Sequence, residues 1–203
     1  MNTTRNRDLM SVMVEEDREH HPATASVEGA LVQAALEGDG RAFADLVAPH
    51  LPVLYRIARR ACGDPVLAED AVQETLLLAF QRLDRYTPDT SLRAYLAAIA
   101  VKRAHTLIRS HRRRLARETT TLAPQAVDTP EEIARAVQTE ARVRLAIAKL
   151  PAKRGEAVLL RLDGKLSDAE IAMAVGSTPE SIRVLVHLGL KDLKAALTSG
   201  EEP

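Results

Sequence analysis

The sequence predicts an all-α protein of two small helical domains joined by a flexible linker, the second containing a helix-turn-helix. Only 2% of the 203 residues are aromatic and nine are glycine, so the cores must be built from Leu, Ile, Val and Ala. No segment alternates polar and apolar residues convincingly at period two, as half-buried strands do. Apolar residues instead recur at spacings of three and four, the period of an amphipathic helix.

The first half of the chain has the spacing of four helices. Helical periodicity begins near Val27, and a Gly-Asp-Gly turn at 38–40 ends the first helix. Pro49 and Pro52 should break or kink the second, because proline lacks the backbone N–H of a helix interior. A Cys-Gly-Asp-Pro turn at 62–65 supplies a glycine suited to a helix C-cap. The predicted helices span 28–37, 41–61, 68–83 and 92–117.

The composition changes between residues 119 and 132, which contain two prolines, several threonines and no aromatic residue. Such a stretch predicts an interdomain linker. Helicity then resumes, with helices predicted at 133–150, 154–162, 167–175 and 179–197. The predicted organisation is a disordered tail, a first domain, a linker, a second domain and a short tail, at 1–26, 27–117, 118–132, 133–198 and 199–203.

Charge is segregated along the chain although the net charge is zero, with 28 basic and 28 acidic residues. A uniformly basic coat is therefore excluded, and any DNA contact must come from local clusters. From Thr90 to Arg117 the chain has eight basic residues and no acidic one. Such a helix would bind a DNA backbone with strong salt dependence, although a solvated basic face is the plainer alternative. The cations are Arg93, Lys102, Arg103, Arg109, Arg112, Arg113, Arg114 and Arg117.

The helix predicted at 68–83 has an acidic and amide stripe opposite its apolar face, which is typical of any surface helix. Its members are Asp70, Gln73, Glu74, Leu77 and Gln81. Two carboxylates could serve acid–base catalysis, but no metal-ligand cluster or nucleophile–base pair accompanies them. We therefore expect no enzyme, no metal site and no cofactor.

The cellular compartment is predicted from what the sequence lacks. Cys62 is the only cysteine, so an internal disulfide is excluded and a reducing compartment fits. No apolar run approaches the roughly 20 residues of a membrane span. The N-terminal stretch has no apolar core of the signal-peptide kind. A cytoplasmic protein is the expectation.

A pair of short helices near the C-terminus has the signals of a helix-turn-helix. Ser167 and Glu170 fit a capping box. Gly176 lies where the turn needs a left-handed residue, Pro179 can open the next helix, and Ile182 would anchor it in the core. An ordinary helical hairpin is the alternative.

Together these segments resemble the two-domain, extracytoplasmic-function group of bacterial sigma factors, over roughly Val27 to Leu197. The tract LYRIARRACGDPVLAEDAVQETLLLAFQRLDRY resembles the family's helical pair that ends in the polymerase-contacting helix. SLRAYLAAIAVKRAHTLIRSHRRR is similar to the tract that reads and opens the upstream edge of the transcription bubble. LPAKRGEAVLLRLDGKLSDAEIAMAVGSTPESIRVLVHLGLKDL resembles the second domain.

The resemblance implies a sigma factor that directs core RNA polymerase to promoters and assists DNA opening. The acidic and amide stripe would dock on the clamp helices of the polymerase largest subunit. The flap of the second-largest subunit is a further implied partner of the protein. Promoter DNA and an anti-sigma factor are the other implied partners. A loop at 85–91 would receive a base extruded from the stack. The implied contacts to the minus-ten element are Arg85, Thr87, Ser91, Lys102, Arg103, Thr106, Arg109, Arg112 and Arg113.

The chain departs from the family in two places. Lys102 and Thr106 stand where Asn and Asp are usual, and Phe80 and Tyr95 where Trp is usual, which bears on minus-ten base preference. The last helix is weakly basic, with three cations against two acids, and apolar Val184 and Leu188 are expected to face outward.

Two interpretations of this last helix stay open. In the first, it enters the minus-35 major groove, with contacts from Ser177, Thr178, Ser181, Arg183, Val184, His187 and Lys191. Alternatively, protein covers its apolar outer face: an anti-sigma partner or the first domain. Two other functions compete with the sigma factor: a sigma-like adaptor or decoy that acts through protein contacts, and a stand-alone helix-turn-helix regulator that binds duplex DNA by itself.

Overall fold

A computed structural model of the protein describes residues 22–86, 91–118 and 131–198, and every regular element there is helical, which confirms the all-α prediction. None of these helices has the length and apolarity that crossing a bilayer requires. Short 3-10 segments lie at Ala48–His50 and Leu83–Arg85. The helices are α1 Pro22–Leu36, α2 Gly40–Val47, α3 Leu51–Cys62, α4 Pro65–Gln81, α5 Leu92–Glu118, α6 Glu131–Lys149, α7 Ala152–Leu162, α8 Asp168–Val175 and α9 Pro179–Thr198.

Prolines divide the segment predicted at 41–61 into two helices. Pro49 lies in the 3-10 segment and Pro52 in the first turn of α3, where a missing N–H costs no helical hydrogen bond. The predicted break is therefore confirmed. Most of the predicted linker and of the N-terminal tail, and all of the C-terminal tail, lie outside the described residues. The domain boundaries therefore stay a prediction.

The chain forms two compact units, Met1–Leu46 and Val47–Pro203. In the first, Asp39 begins α2: its carboxylate accepts hydrogen bonds from the N–H groups of Arg41 and Ala42, at 2.8 and 3.2 Å. These bonds satisfy two of the unpaired donors at the start of that helix.

In the second unit, α3, α4 and α5 pack around small side chains. Ala58, Ala68, Ala71 and Ala104 are fully buried at the place where the three helices meet. Alanine lets helix axes approach closely, so this packing follows from a core that is rich in alanine and poor in aromatic residues.

Helices α7, α8 and α9 of the same unit share a second core, which includes Val158, Leu159, Ile171 and Ile182. Gly189 sets the approach of α9 to α7, since a Cβ there would lie 2.6 Å from Cγ2 of Val158. The two helical groups are in contact within this unit: α3 packs on α6 and α7, and α5 on α7 and α8. The helices that carry the predicted minus-ten residues and the predicted minus-35 residues therefore belong to two helical groups that pack on each other.

Candidate functional site

Helix α4 presents the predicted protein-binding face. It begins at Asp64, whose carboxylate accepts the N–H of Leu67 at 2.9 Å, and Pro65 opens the first turn. Its buried side includes Ala71 and Thr75. The Thr75 hydroxyl donates to the Ala71 carbonyl at 2.6 Å, which satisfies a buried polar group that the apolar pattern did not include.

The predicted polymerase-binding residues share the outward side of α4. Asp70, Gln73 and Gln81 are exposed, Leu77 is 60% exposed and Glu74 is half-buried. The sequence prediction missed Val66, which is 64% exposed four residues before Asp70 and so lies on the same side. The spacing alone could have identified it. The face thus combines acids and amides with exposed apolar side chains.

Helix α5 carries the basic surface. Its 27 residues span about 40 Å at ~1.5 Å per residue, and its only acidic residue, Glu118, is its last. Lys102, Thr106, Arg109, Arg112 and Arg113 are exposed, while Arg103 is half-buried. The Thr106 hydroxyl donates to the Lys102 carbonyl at 2.9 Å. A row of cations of this length can follow several successive phosphates.

An ion pair joins the acidic face of α4 to the basic helix. Nη1 of Arg103 lies 3.9 Å from Oε2 of Glu74. Two residues assigned from the sequence to different partners are therefore side by side on α4 and α5.

An aromatic support lies beside the predicted base-receiving loop. The Tyr95 hydroxyl donates to the Arg82 carbonyl at 3.0 Å, and its ring lies 5.6 Å from that of Tyr86, tilted by 50°. Burial raises the pKa of Tyr95, so its hydroxyl stays a donor at neutral pH. Tyr95 thus fixes the 3-10 segment that carries Arg85.

The loop itself is described only at its ends. Arg85 is exposed, and Oγ of Ser91 accepts the N–H of Ala94 at 3.4 Å, so Ser91 caps the start of α5. The predicted contact Thr87 lies outside the described residues.

Helices α8 and α9 form the helical pair predicted from the C-terminal signals. Ser167 and Glu170 make the predicted capping box in both directions. Gly176 ends α8 with φ of 70°, the left-handed conformation that the turn requires. Ile182 is buried, as predicted.

The outward side of α9 and its preceding turn hold the predicted minus-35 residues. Ser177, Ser181, Arg183, His187 and Lys191 are exposed, and Val184 is 56% exposed. Thr178 is exposed too, and its hydroxyl accepts the N–H of Ser181 at 3.3 Å. The structure therefore gathers all these residues on one surface.

A neighbouring aspartate offsets part of the positive charge of that surface. Nε of Arg183 lies 3.6 Å from Oδ2 of Asp168, whose other oxygen pairs with Arg161. The pairing reduces the positive field of the few cations on α9, which weakens the attraction of this helix for an anionic ligand such as DNA.

Burial affects two of the reactive side chains in the part of the chain that the structure describes. Within 22–86, 91–118 and 131–198, no cluster of His, Cys, Asp and Glu could hold a metal ion. Burial raises the pKa of Cys62 to about 11, so the thiol is protonated at neutral pH. Burial and the nearby Arg109 lower the pKa of His105, which keeps that imidazole neutral.

Comparisons with known proteins find similar sequences and folds over most of the chain. The family model for Sigma-70 region 2 matches residues 46–114, which include α3, α4 and most of α5. The chain is 32% identical over 174 residues to the ECF RNA polymerase sigma factor SigD of Mycobacterium tuberculosis, covering 81% of each chain. It is 32% identical over 182 residues to the ECF RNA polymerase sigma factor ShbA of Streptomyces griseus, covering 84% of this chain and 95% of ShbA.

Two solved structures share the fold. CnrH in complex with the cytosolic domain of CnrY matches with a TM-score of 0.64 and 25% identity, over 87% of this chain and 99% of CnrH. The sigma factor RpoE of Bartonella quintana, in complex with the anti-sigma factor NepR, matches with a TM-score of 0.58 and 22% identity. That match covers 77% of this chain and 96% of RpoE.

Proposed function

The chain belongs to the ECF RNA polymerase sigma factors, and on that premise we propose that it brings core polymerase to a set of promoters and holds their DNA open. One observation carries the assignment of surfaces: an acid- and amide-rich face on α4 stands beside an acid-free row of cations on α5. A protein that must touch polymerase and DNA together needs two such surfaces next to each other.

In this proposal, α4 docks on the clamp helices of the largest polymerase subunit. Asp70 and Gln73 supply polar contacts, and Leu77 with Val66 supplies apolar area that docking removes from water. The C-terminal helical group contacts the flap of the second-largest subunit. The protein works in the cytoplasm, where the polymerase is.

Helix α5 holds the phosphates near the minus-ten element, and the loop after Arg85 receives an unstacked base. Capturing that base offsets part of the cost of breaking its pair, a few kcal/mol in order of magnitude. DNA opening then follows from binding and needs no catalytic residue in this chain. The chemistry of RNA synthesis belongs to the polymerase.

Helix α9 enters the major groove at the minus-35 element. In this proposal the exposed Arg183 and Lys191 contact phosphates or base edges, and Val184 contacts a thymine methyl. Because Asp168 pairs with Arg183, this contact contributes modestly to the affinity for promoter DNA. Most of that affinity comes from α5 and the polymerase.

An anti-sigma factor is a further proposed partner. RpoE is solved with the anti-sigma factor NepR, and CnrH with the cytosolic domain of CnrY. The exposed apolar residues of this chain, Val184 and Met173 among them, provide area that such a partner would cover.

The weak charge of α9 favours one competing function, an adaptor or decoy that binds polymerase without promoters. The sigma factor and the decoy are distinguished by adding labelled genomic fragments to the protein alone, to core polymerase alone and to both together. A sigma factor retains specific fragments only when both are present, and these fragments yield transcripts. Core binding without any retained fragment favours the decoy, whereas retention by the protein alone favours a stand-alone regulator.

A further inference from the structure

Asp168 lies between two arginines, at the place where α7, α8 and α9 come together. It is the first residue of α8. Its Oδ1 pairs with Nη2 of Arg161, in the last turn of α7, and its Oδ2 lies 3.6 Å from Nε of Arg183, in α9. A single carboxylate is therefore shared by two guanidinium groups, one of which belongs to the predicted DNA-binding surface.

The position of Asp168 is fixed by the structure around it. The N–H of Glu170 donates to the Ser167 hydroxyl and the N–H of Ser167 donates to the Glu170 carboxylate, so the first turn of α8 is held in both directions. An acidic side chain is favoured at this end of a helix, which carries the positive end of the dipole. The side chain of Asp168 is only 21% exposed, and Arg161 holds its other oxygen. In the pair with Arg183, the aspartate is therefore the fixed member.

The ion pair restricts Arg183 without using up its hydrogen-bond donors. A separation of 3.6 Å between Nε and Oδ2 is that of an ion pair rather than a hydrogen bond. A guanidinium is a planar fork of N–H donors, most of them on the two Nη atoms. Because the carboxylate approaches at Nε and the side chain is 69% exposed, the Nη edge is left for an external ligand. Arg183 is thus held at one edge and presents the other.

Such a pair affects specific and nonspecific DNA binding differently. An arginine that is held in advance loses less entropy when its fork meets the O6 and N7 acceptors of a guanine, which is the commonest specific contact in the major groove. An arginine without a partner can instead turn to a phosphate, which every sequence offers and which carries no sequence information. The carboxylate of Asp168 competes with that phosphate for Arg183. Because specificity is a difference of affinities, both effects increase it.

We propose that Asp168 is a specificity-determining residue that acts through Arg183. Its carboxylate directs the guanidinium to a guanine of the minus-35 element and away from the phosphate backbone, and Arg161 keeps the carboxylate in place. Asp168 is a positioning residue and does not touch DNA itself. The weak positive charge of α9 then serves selection among promoters rather than affinity. The identity of the ligand rests on the function proposed above, whereas the ion pair does not.

The test uses the full chain with Asp168→Asn, which removes the charge and keeps the shape of the side chain. The matched control is Asp192→Asn, because Asp192 pairs at 2.6 Å with Arg154 and joins α9 to α7. The control removes the same charge from the same helical group and leaves the partner of Arg183 in place. Affinities of the complex with core polymerase are measured for a genomic fragment that the complex retains and for the same fragment with a scrambled minus-35 segment.

The ratio of these two affinities should fall about tenfold in Asp168→Asn. The released Arg183 gains one phosphate contact on the scrambled fragment, which adds about 0.9 to the salt slope and raises that affinity about five- to tenfold at ~0.1 M salt. The affinity for the intact fragment should change less, since orientation toward the base is lost as charge is gained. Asp192→Asn should keep the parent ratio. In an Arg183→Gln background, Asp168→Asn should no longer change the ratio, because the residue through which it acts is absent.

A second measurement follows the ion pair in the free protein. With isotope-labelled arginine, the Nε–H resonance of Arg183 is identified by its disappearance in Arg183→Lys. Asp168→Asn should shift this resonance and increase the fast motion of the side chain, whereas the resonance of Arg154 stays in place. Circular dichroism checks that the helices remain.

An unaltered Arg183 resonance in Asp168→Asn would overturn the ion pair and the proposal with it. Equal changes in the two affinities, or the same loss of discrimination in Asp192→Asn, would overturn the role of Asp168 in specificity. If the parent protein with core polymerase retains no fragment, the proposed function is contradicted and with it the role in promoter choice, while a shifted resonance in the free protein would still uphold the pair.

Discussion

Arg103 of α5 and Glu74 of α4 form an ion pair, with 3.9 Å between Nη1 and Oε2. Both side chains are partly exposed, so the pair contributes at most about 1 kcal/mol to stability. Its importance is its position: it joins the proposed polymerase-binding face to the proposed DNA-binding helix. A change at one surface is therefore expected to be felt at the other.

Replacing Asp70 and Gln73 together by alanine should weaken core binding about tenfold or more, because two exposed polar contacts at the centre of the α4 face are lost. Fluorescence anisotropy with labelled protein and core polymerase measures the affinity. Glu69→Ala is the control, since this exposed acid lies to the side of that face. Equal affinities for the parent and the double variant would contradict the docking assignment.

Arg112→Ala with Arg113→Ala should reduce the dependence of promoter-complex formation on salt. Each phosphate contact adds about 0.9 to the slope of log affinity against log salt concentration, so the slope should fall by about two. Filter binding of the polymerase complex between low and moderate salt gives the slope, with Lys149→Ala as the control. An unaltered slope removes these arginines from the DNA contact.

Two of the glycines with positive φ, Gly176 and Gly63, should differ in their tolerance of alanine. At Gly176 a Cβ meets nothing within 4 Å, so Gly176→Ala should cost only the backbone strain, roughly 1–2 kcal/mol. At Gly63 the backbone strain is the same, and the added Cβ would also displace Arg144 from the carbonyl of Gly63. Urea unfolding should therefore show a larger loss for Gly63→Ala. Adding Arg144→Ala should recover part of the difference, and an equal cost at both glycines would argue against the cap from α6.

Glu156 should make stability depend on pH. Burial raises its pKa above the ordinary value of 4.5, with Lys102 and Lys153 offsetting only part. The native state then binds more protons than the unfolded state above pH 4.5, so this contribution is complete below that pH and is lost as pH rises through the native pKa.

Glu156→Gln should consequently raise the free energy of unfolding relative to the parent at pH 7, with a smaller gain at pH 4. Urea titrations followed by circular dichroism at both values measure the difference. Glu140→Gln, at an exposed position on α6, is the control. A stability loss at pH 7 would mean that the carboxylate is stabilised by its lysines rather than destabilised by burial.

The helices and their caps could be predicted because their signals are local. The proline break at 49–52, the capping box of Ser167 and the turn at Gly176 each depend on residues within four positions of one another. The outward side of α4 could be predicted for the same reason, although Val66, which has helical spacing from Asp70, and Phe80 were not included in it.

Contacts between distant segments could not be read from the sequence. Nothing local marks Asp163 as a buried acceptor, because its partners Arg56 and Arg60 are 107 and 103 residues away. Thr75 is polar, so the sequence alone suggests that it lies at the surface. It is buried because its hydroxyl donates to the Ala71 carbonyl within the same helix. In both cases tertiary packing determines where a polar group lies, and the sequence predicts only its helix.

The most direct test of the central claim is to map RNA 5′ ends made by core polymerase with this protein on fragmented genomic DNA, against core polymerase alone. The account predicts discrete start sites that appear only with the protein, share a common upstream sequence and disappear with the Asp70→Ala, Gln73→Ala double variant. Identical, scattered 5′ ends with and without the protein, from preparations in which core is active with another sigma factor, would contradict it.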